Sequence, residues 1–122
     1  MKKVLIVEDD VSTAELVKFL LLSLGCEVTY TGDGSSALRL AREWLPQLIV
    51  LDIMLPGLDG YSIQSELLKD DLTKEIPVIL ITVKTQMEQV FTNAGNVAGF
   101  MCKPFNVMEL QSKVKSVLEN RD

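Results

Sequence analysis

Residues 48–52 read Leu48-Ile49-Val50-Leu51-Asp52, four consecutive large apolar side chains closed by a carboxylate. A strand with one solvated face would alternate apolar and polar residues, so an unbroken run fits a parallel strand covered on both faces. Val4-Leu5-Ile6-Val7 and Val78-Ile79-Leu80-Ile81 have the same character. Glu27-Val28-Thr29-Tyr30 and Gly99-Phe100-Met101-Cys102 are more mixed and suit edge or near-edge strands. With helical patterns between and after them, these runs predict a (βα)5 α/β domain. Right-handed crossovers make it a doubly wound three-layer sandwich, most simply with a parallel sheet of order 2-1-3-4-5.

The helices have readable ends. Asp10 or Ser12 can cap a first helix whose buried stripe is expected to be Leu16, Leu20 and Leu24, with Val17 and Leu21 beside it and Gly25 as the left-handed exit. Asp33 precedes a second helix with Ala37, Leu38 and Ala41 on its inner face, which must stop before Pro46. Gly60 to about Lys69 carries Ile63 and Leu67 at helical spacing, and the stretch from Asp70 to Glu75 reads as a polar loop. A fourth helix is predicted near Thr85 to Asn93. The last begins at Asn106, with Glu109 placed for a capping box and Val107, Leu110, Val114, Val117 and Leu118 as its stripe.

The length of 122 residues predicts one domain, 1–122, and 48% hydrophobic with 24% charged residues is a globular balance. No apolar run approaches the roughly 20 residues of a membrane span. The N-terminus turns acidic at Glu8, too early for a signal peptide, so a cytoplasmic protein is expected. Twelve Lys plus Arg against 17 Asp plus Glu leave a net charge of −5, which removes the electrostatic basis for a general grip on nucleic acid. The chain has no histidine, so Ser-His-Asp and Cys-His catalysis and imidazole metal sites are excluded. Cys26 and Cys102 are far apart in apolar surroundings and read as buried thiols.

In a doubly wound sheet, ligands bind beyond the carboxyl ends of the strands, at the switch between strands 1 and 3. Glu8-Asp9-Asp10 follows strand 1 and Asp52 ends strand 3, so up to four carboxylates are expected to meet there. Such a cluster calls for a hard divalent cation, and magnesium is the economical choice. Strand 4 ends in Thr82 and strand 5 is followed by Lys103-Pro104. Taken singly, the acidic triplet is a solvated turn, Thr82 a strand terminator and Lys103 a surface lysine. Together, a hydroxyl, an ammonium and a cation surround one carboxylate as a phosphoryl group on Asp52 would require.

These residues resemble the receiver domain of two-component response regulators, a flavodoxin-like fold. The resemblance is carried by Val4 to Asp10, by Leu51-Asp52-Ile53-Met54-Leu55-Pro56-Gly57-Leu58-Asp59-Gly60, by Ile81-Thr82 and by Lys103-Pro104-Phe105. It implies that Asp52 accepts a phosphoryl group from a phosphohistidine on a sensor histidine kinase or phosphotransfer protein. It further implies Mg2+ held by Asp9, Asp52 and the Met54 carbonyl, with Glu8 acting through a metal-bound water. Lys103 would pair with the phosphoryl oxygens, while Thr82 and Phe100 would act as the switch pair. The output would leave through the face of the fourth predicted helix, the fifth strand and the last helix, to an effector domain, a downstream protein or a second copy. The domain itself would be a signalling switch and not an enzyme, binding neither nucleic acid nor membrane.

Some positions depart from the family pattern. Val83 replaces a smaller residue beside Thr82, and Asn96-Val97-Ala98-Gly99 replaces a commoner Gly-Ala-Asp-Gly turn in a segment roughly a residue short. Val97 and Ala98 stand where acids often support a charged dimer face. Met54 and Lys84 offer neither carboxylate nor amide to orient a hydrolytic water, so a long-lived phosphorylated form is expected. An aspartate-nucleophile phosphatase would need a second Asp where Met54 stands. A flavin binder would need a Thr/Ser/Gly phosphate loop where the acids stand. The main competitor is a degenerate receiver that acts as a phosphorylation-independent interaction module.

Overall fold

The computed structural model describes residues 2–52, 60–82, 97–102 and 106–119, without the side chains of Gly60, Tyr61, Thr82 and Cys102. The elements in chain order are β1 (Lys3–Val7), α1 (Val11–Ser23), β2 (Glu27–Thr31), α2 (Gly34–Trp44), β3 (Leu48–Asp52), α3 (Gly60–Lys69), β4 (Val78–Thr82), β5 (Val97–Cys102) and, last, α4 (Val107–Glu119). All strand pairs are parallel and the sheet order is β2-β1-β3-β4-β5, as the strand patterns predict. The mixed strands β2 and β5 are the edges. The helix predicted near Thr85 to Asn93 lies outside the described residues.

Two apolar cores flank the sheet. Alternate residues of the central strands point to opposite faces: Val4, Ile6, Leu48 and Val50 join Val17, Leu20 and Leu21 of α1 and Leu110, Val114 and Leu118 of α4. Leu5, Val7, Ile49 and Leu51 join Ala37 and Ala41 of α2 and Ile63 and Leu67 of α3. This is why Val4–Val7 of β1 and Leu48–Leu51 of β3 are apolar without a break: neither face of these runs meets water. Among the described residues, no helix is long and apolar enough to cross a membrane.

Capping follows local chemistry. The Asp10 carboxylate accepts from the Ser12 N–H at 3.2 Å and from the Thr13 hydroxyl at 2.7 Å, which makes Asp10, not Ser12, the cap of α1. Asp33 caps α2 through Ser36, and the Asn106 side chain accepts from the N–H groups of Met108 and Glu109. Gly25 takes φ +84 after α1, as expected, and Leu45 is forced to φ 50 between α2 and Pro46.

Three details differ from the sequence expectation. Leu16 is exposed, and Ala14 takes the inner position beside the expected Val17, Leu20 and Leu21, because the outer side of α1 carries large apolar residues among Glu15 and Lys18. Val107, at the first turn of α4, is likewise exposed. In the stretch after α3, Thr73 is fully buried and its hydroxyl donates to the Leu67 carbonyl at 2.7 Å, while Leu72 points outward. A hydroxyl that satisfies a helix-end carbonyl is worth more inside than an unconstrained leucine.

Candidate functional site

The register places Val7 beside Leu51, so Glu8 and Asp52 leave the sheet at the same edge from neighbouring strands. One carboxylate oxygen each from Glu8, Asp9 and Asp52 lies within 4.8 Å of the other two. Glu8 and Asp52 are buried, at 1% and 3% relative exposure, whereas Asp9 is open to solvent. Burial in this position follows from the strands: Asp52 is the last residue of a strand covered on both faces. The Glu8 N–H donates to the Thr31 carbonyl at 3.0 Å, which carries the β1–β2 ladder into the acidic turn. Glu8 Oε2 accepts the Asp10 N–H at 3.1 Å.

At 4.8 Å or closer, two buried carboxylates repel by about 3.5 kcal/mol or more at an effective dielectric near 20. Three hard oxygen donors, two of them shielded from water, fit a small divalent cation that would cancel this repulsion. The fourth expected carboxylate is not in the cluster: both oxygens of Asp10 are engaged in capping α1. The helix end took it because the orphan N–H groups are its nearest donors.

Away from the cluster, Asp33 and Cys26 have shifted acidities. Hydrogen bonds from the Ser36 hydroxyl and N–H hold the Asp33 carboxyl below the ordinary aspartate value. Burial pushes the Cys26 thiol up, in keeping with an inert core cysteine.

Of the residues singled out in the sequence, Glu8, Asp9 and Asp52 are brought together. The backbone of Thr82 ends β4 beside Cys102, the last residue of β5, at the same sheet edge. Phe100 lies in β5, half-buried against the core beneath α2 and α3. The Thr82 side chain and the whole of Met54, Val83, Lys84, Lys103 and Pro104 lie outside the described residues. Sequence reasoning did not single out Gly32, which packs on the Glu8–Asp9 backbone. A glycine between a strand and its helix cap was the available signal.

The sequence profile described as response regulator receiver domain matches residues 4–115. The DNA-binding dual master transcriptional regulator RpaA of Synechocystis is 33% identical over 123 residues, covering 100% of this chain and 51% of RpaA. The DNA-binding response regulator MtrA of Mycobacterium tuberculosis is 34% identical over 122 residues, covering 99% of this chain and 52% of MtrA. The chain thus spans about half the length of the curated relatives it matches. Among solved structures, the receiver domain of sensor histidine kinase PA1611 from Pseudomonas aeruginosa, with a magnesium ion coordinated in its active site cleft, superposes with a TM-score of 0.87 and 31% identity, covering 97% of this chain and 98% of that one.

Proposed function

Because the chain belongs to the response regulator receiver domain family of two-component systems, a signalling module and not an enzyme, we propose that Asp52 is its phosphoryl acceptor. The observation that carries this reading is the meeting of Glu8, Asp9 and Asp52 at the carboxyl edge of the two central strands. We read residues 1–122 as one receiver domain of a cytoplasmic protein.

Asp9 and Asp52, with the Met54 carbonyl, would hold Mg2+, and Glu8 would act through a bound water. When bound, the ion supplies positive charge that lets a phosphoryl group approach three carboxylates. An Asp52 carboxylate oxygen forms the bond to phosphorus as the P–N bond to the donor imidazole breaks, and that electron pair returns to the ring nitrogen. These 122 residues hold no histidine, so the imidazole lies outside them, and we assign it to a sensor histidine kinase or phosphotransfer protein. Lys103 would pair with a phosphoryl oxygen and Thr82 would move to meet another, with Phe100 following inward. Phosphorylation adds about −1.5 to −2 charge to the site, enough to bias two packings that differ by a few kcal/mol.

The output face is proposed to be β5, α4 and the segment 85–93, acting on an effector domain, a downstream protein or a second copy. The names of RpaA and MtrA as DNA-binding regulators support a transcriptional output through an effector. The net charge of −5 does not support nucleic-acid binding by this domain itself.

Intact mass after incubation with Mg2+ and acetyl phosphate tests the reading. The wild type should gain one phosphoryl group and Asp52→Ala none. No addition to the wild type would favour the phosphorylation-independent module.

A further inference from the structure

The turn between β2 and α2 is built against the acidic turn. Val7 pairs with Thr31 at the end of the β1–β2 ladder, and the Glu8 N–H donates to the Thr31 carbonyl one step beyond it. At the next residue, a Cβ on Gly32 would lie 3.4 Å from Asp9 Cα, 3.4 Å from the Glu8 carbonyl oxygen and 3.6 Å from the Tyr30 hydroxyl. Tyr30 reaches this point from the α1 side of the sheet, since its register partner Ile6 belongs to the core beneath α1. Asp33 takes no part, because its carboxylate is turned into the cap of α2. The backbone of Glu8–Asp9 and the hydroxyl of the partly exposed Tyr30 side chain therefore both lie within contact distance of any Cβ at residue 32.

We propose that Gly32 and Tyr30 are positioning residues for the divalent cation: the side-chain-free Gly32, backed by the Tyr30 hydroxyl, sets where the Asp9 backbone stands relative to Glu8 and Asp52. The inference rests on the cation-dependent reading of the site given above. Glu8 and Asp52 are held by burial in the sheet, but Asp9 is exposed, so the position of its carboxylate depends on the backbone beneath it. A Cβ at residue 32 would sit at the near limit of ordinary contact with Asp9 and the Glu8 carbonyl, and a branched side chain has to push Asp9, the Glu8 carbonyl or the phenol aside. Mg2+ demands near-ideal octahedral geometry at short range, whereas Ca2+ accepts longer and more varied arrangements. Displacement of Asp9 therefore weakens Mg2+ more than Ca2+, and the ratio of the two affinities reads the position of Asp9 apart from general loss of stability.

The test is calorimetric titration of the whole chain with MgCl2 or CaCl2 alone, alongside a melt in chelator. Wild type, Asp52→Asn, Gly32→Ala, Gly32→Val and Gly32→Val/Tyr30→Ala are compared. Gly32→Val should lose about tenfold or more in Mg2+ affinity, the scale of effect of residues that orient metal ligands, and less in Ca2+ affinity. Gly32→Ala should shift the ratio in the same direction by a smaller factor, and it decides the matter if the valine variant does not fold. Removal of the phenol in the double variant should restore part of the Mg2+ affinity. An unchanged ratio in both glycine variants overturns the inference while leaving the cation site standing, provided that the wild type binds Mg2+ and Asp52→Asn does not. A wild type that binds no Mg2+ overturns both.

Discussion

Replacing Asp52 with asparagine should make the metal-free protein more stable. Asp52 and Glu8 are both buried, with carboxylate oxygens no more than 4.8 Å apart, so removing one charge relieves about 3.5 kcal/mol of repulsion at an effective dielectric near 20. Water at the open Asp9 side, the interactions that Asp52 and Glu8 already make and the amide's own need for partners return part of this, leaving a net gain of about 2 kcal/mol. For a chain of this length that raises Tm by roughly 8 °C. Mg2+ should then reverse the order. An ion at a hundred times its Kd stabilises the wild type by about 2.7 kcal/mol, and Asp52→Asn, lacking a ligand, gains far less. The assay is a pair of thermal melts, one in chelator and one in saturating Mg2+. An Asp52→Asn protein that melts at or below the wild type in chelator, or Mg2+ that raises both by the same amount, would refute the repulsive-cluster account.

Three further outcomes follow from particular residues. Leu21→Ala, in the core beneath α1, should cost about 2–5 kcal/mol in denaturant unfolding, whereas Leu16→Ala on the same helix should stay within about 0.5 kcal/mol; equal losses would contradict the burial of α1. Asp33→Ala should lower Tm at neutral pH. Because folding lowers the Asp33 acidity value, its contribution is complete above the unfolded value and disappears as pH falls through the folded one, so wild-type and variant melts should converge in acid. If Met54 leaves hydrolytic water unoriented, Met54→Asn should release phosphate from the loaded protein faster than the wild type; equal rates would remove that role from the position.

The apolar runs at residues 4–7, 48–51 and 78–81 were decisive because a strand covered on both faces leaves no position for a polar residue, and their shortness and β-branched residues separate them from a buried helix segment. Helix caps were legible for a similar reason: Asp33 and Asn106 act through N–H groups two or three residues away, a distance that sequence measures directly. The inner face of α1 was legible at Val17, Leu20 and Leu21 but not at Leu16. With Leu16, Phe19 and Leu22 outside beside Glu15 and Lys18, the polar side carries large apolar residues too, and the packing of β1 and α4 decided which leucines go in.

The sequence by itself determined the alternation of strands and helices, the sheet order and the edge where the chemistry sits, because these follow from local periodicity and the handedness of crossovers. It also determined that any histidine in a phosphoryl relay lies outside these 122 residues. The tertiary structure decided which acids share a site. Glu8-Asp9-Asp10 are three adjacent carboxylates in sequence, yet the end of α1 withdrew Asp10 while the neighbouring strand brought Asp52 to Glu8 and Asp9. It also set Gly32, in the turn after β2, against the Glu8–Asp9 backbone. Contacts of this kind join residues from different strands, and their distances depend on register and twist, which no spacing along the chain records.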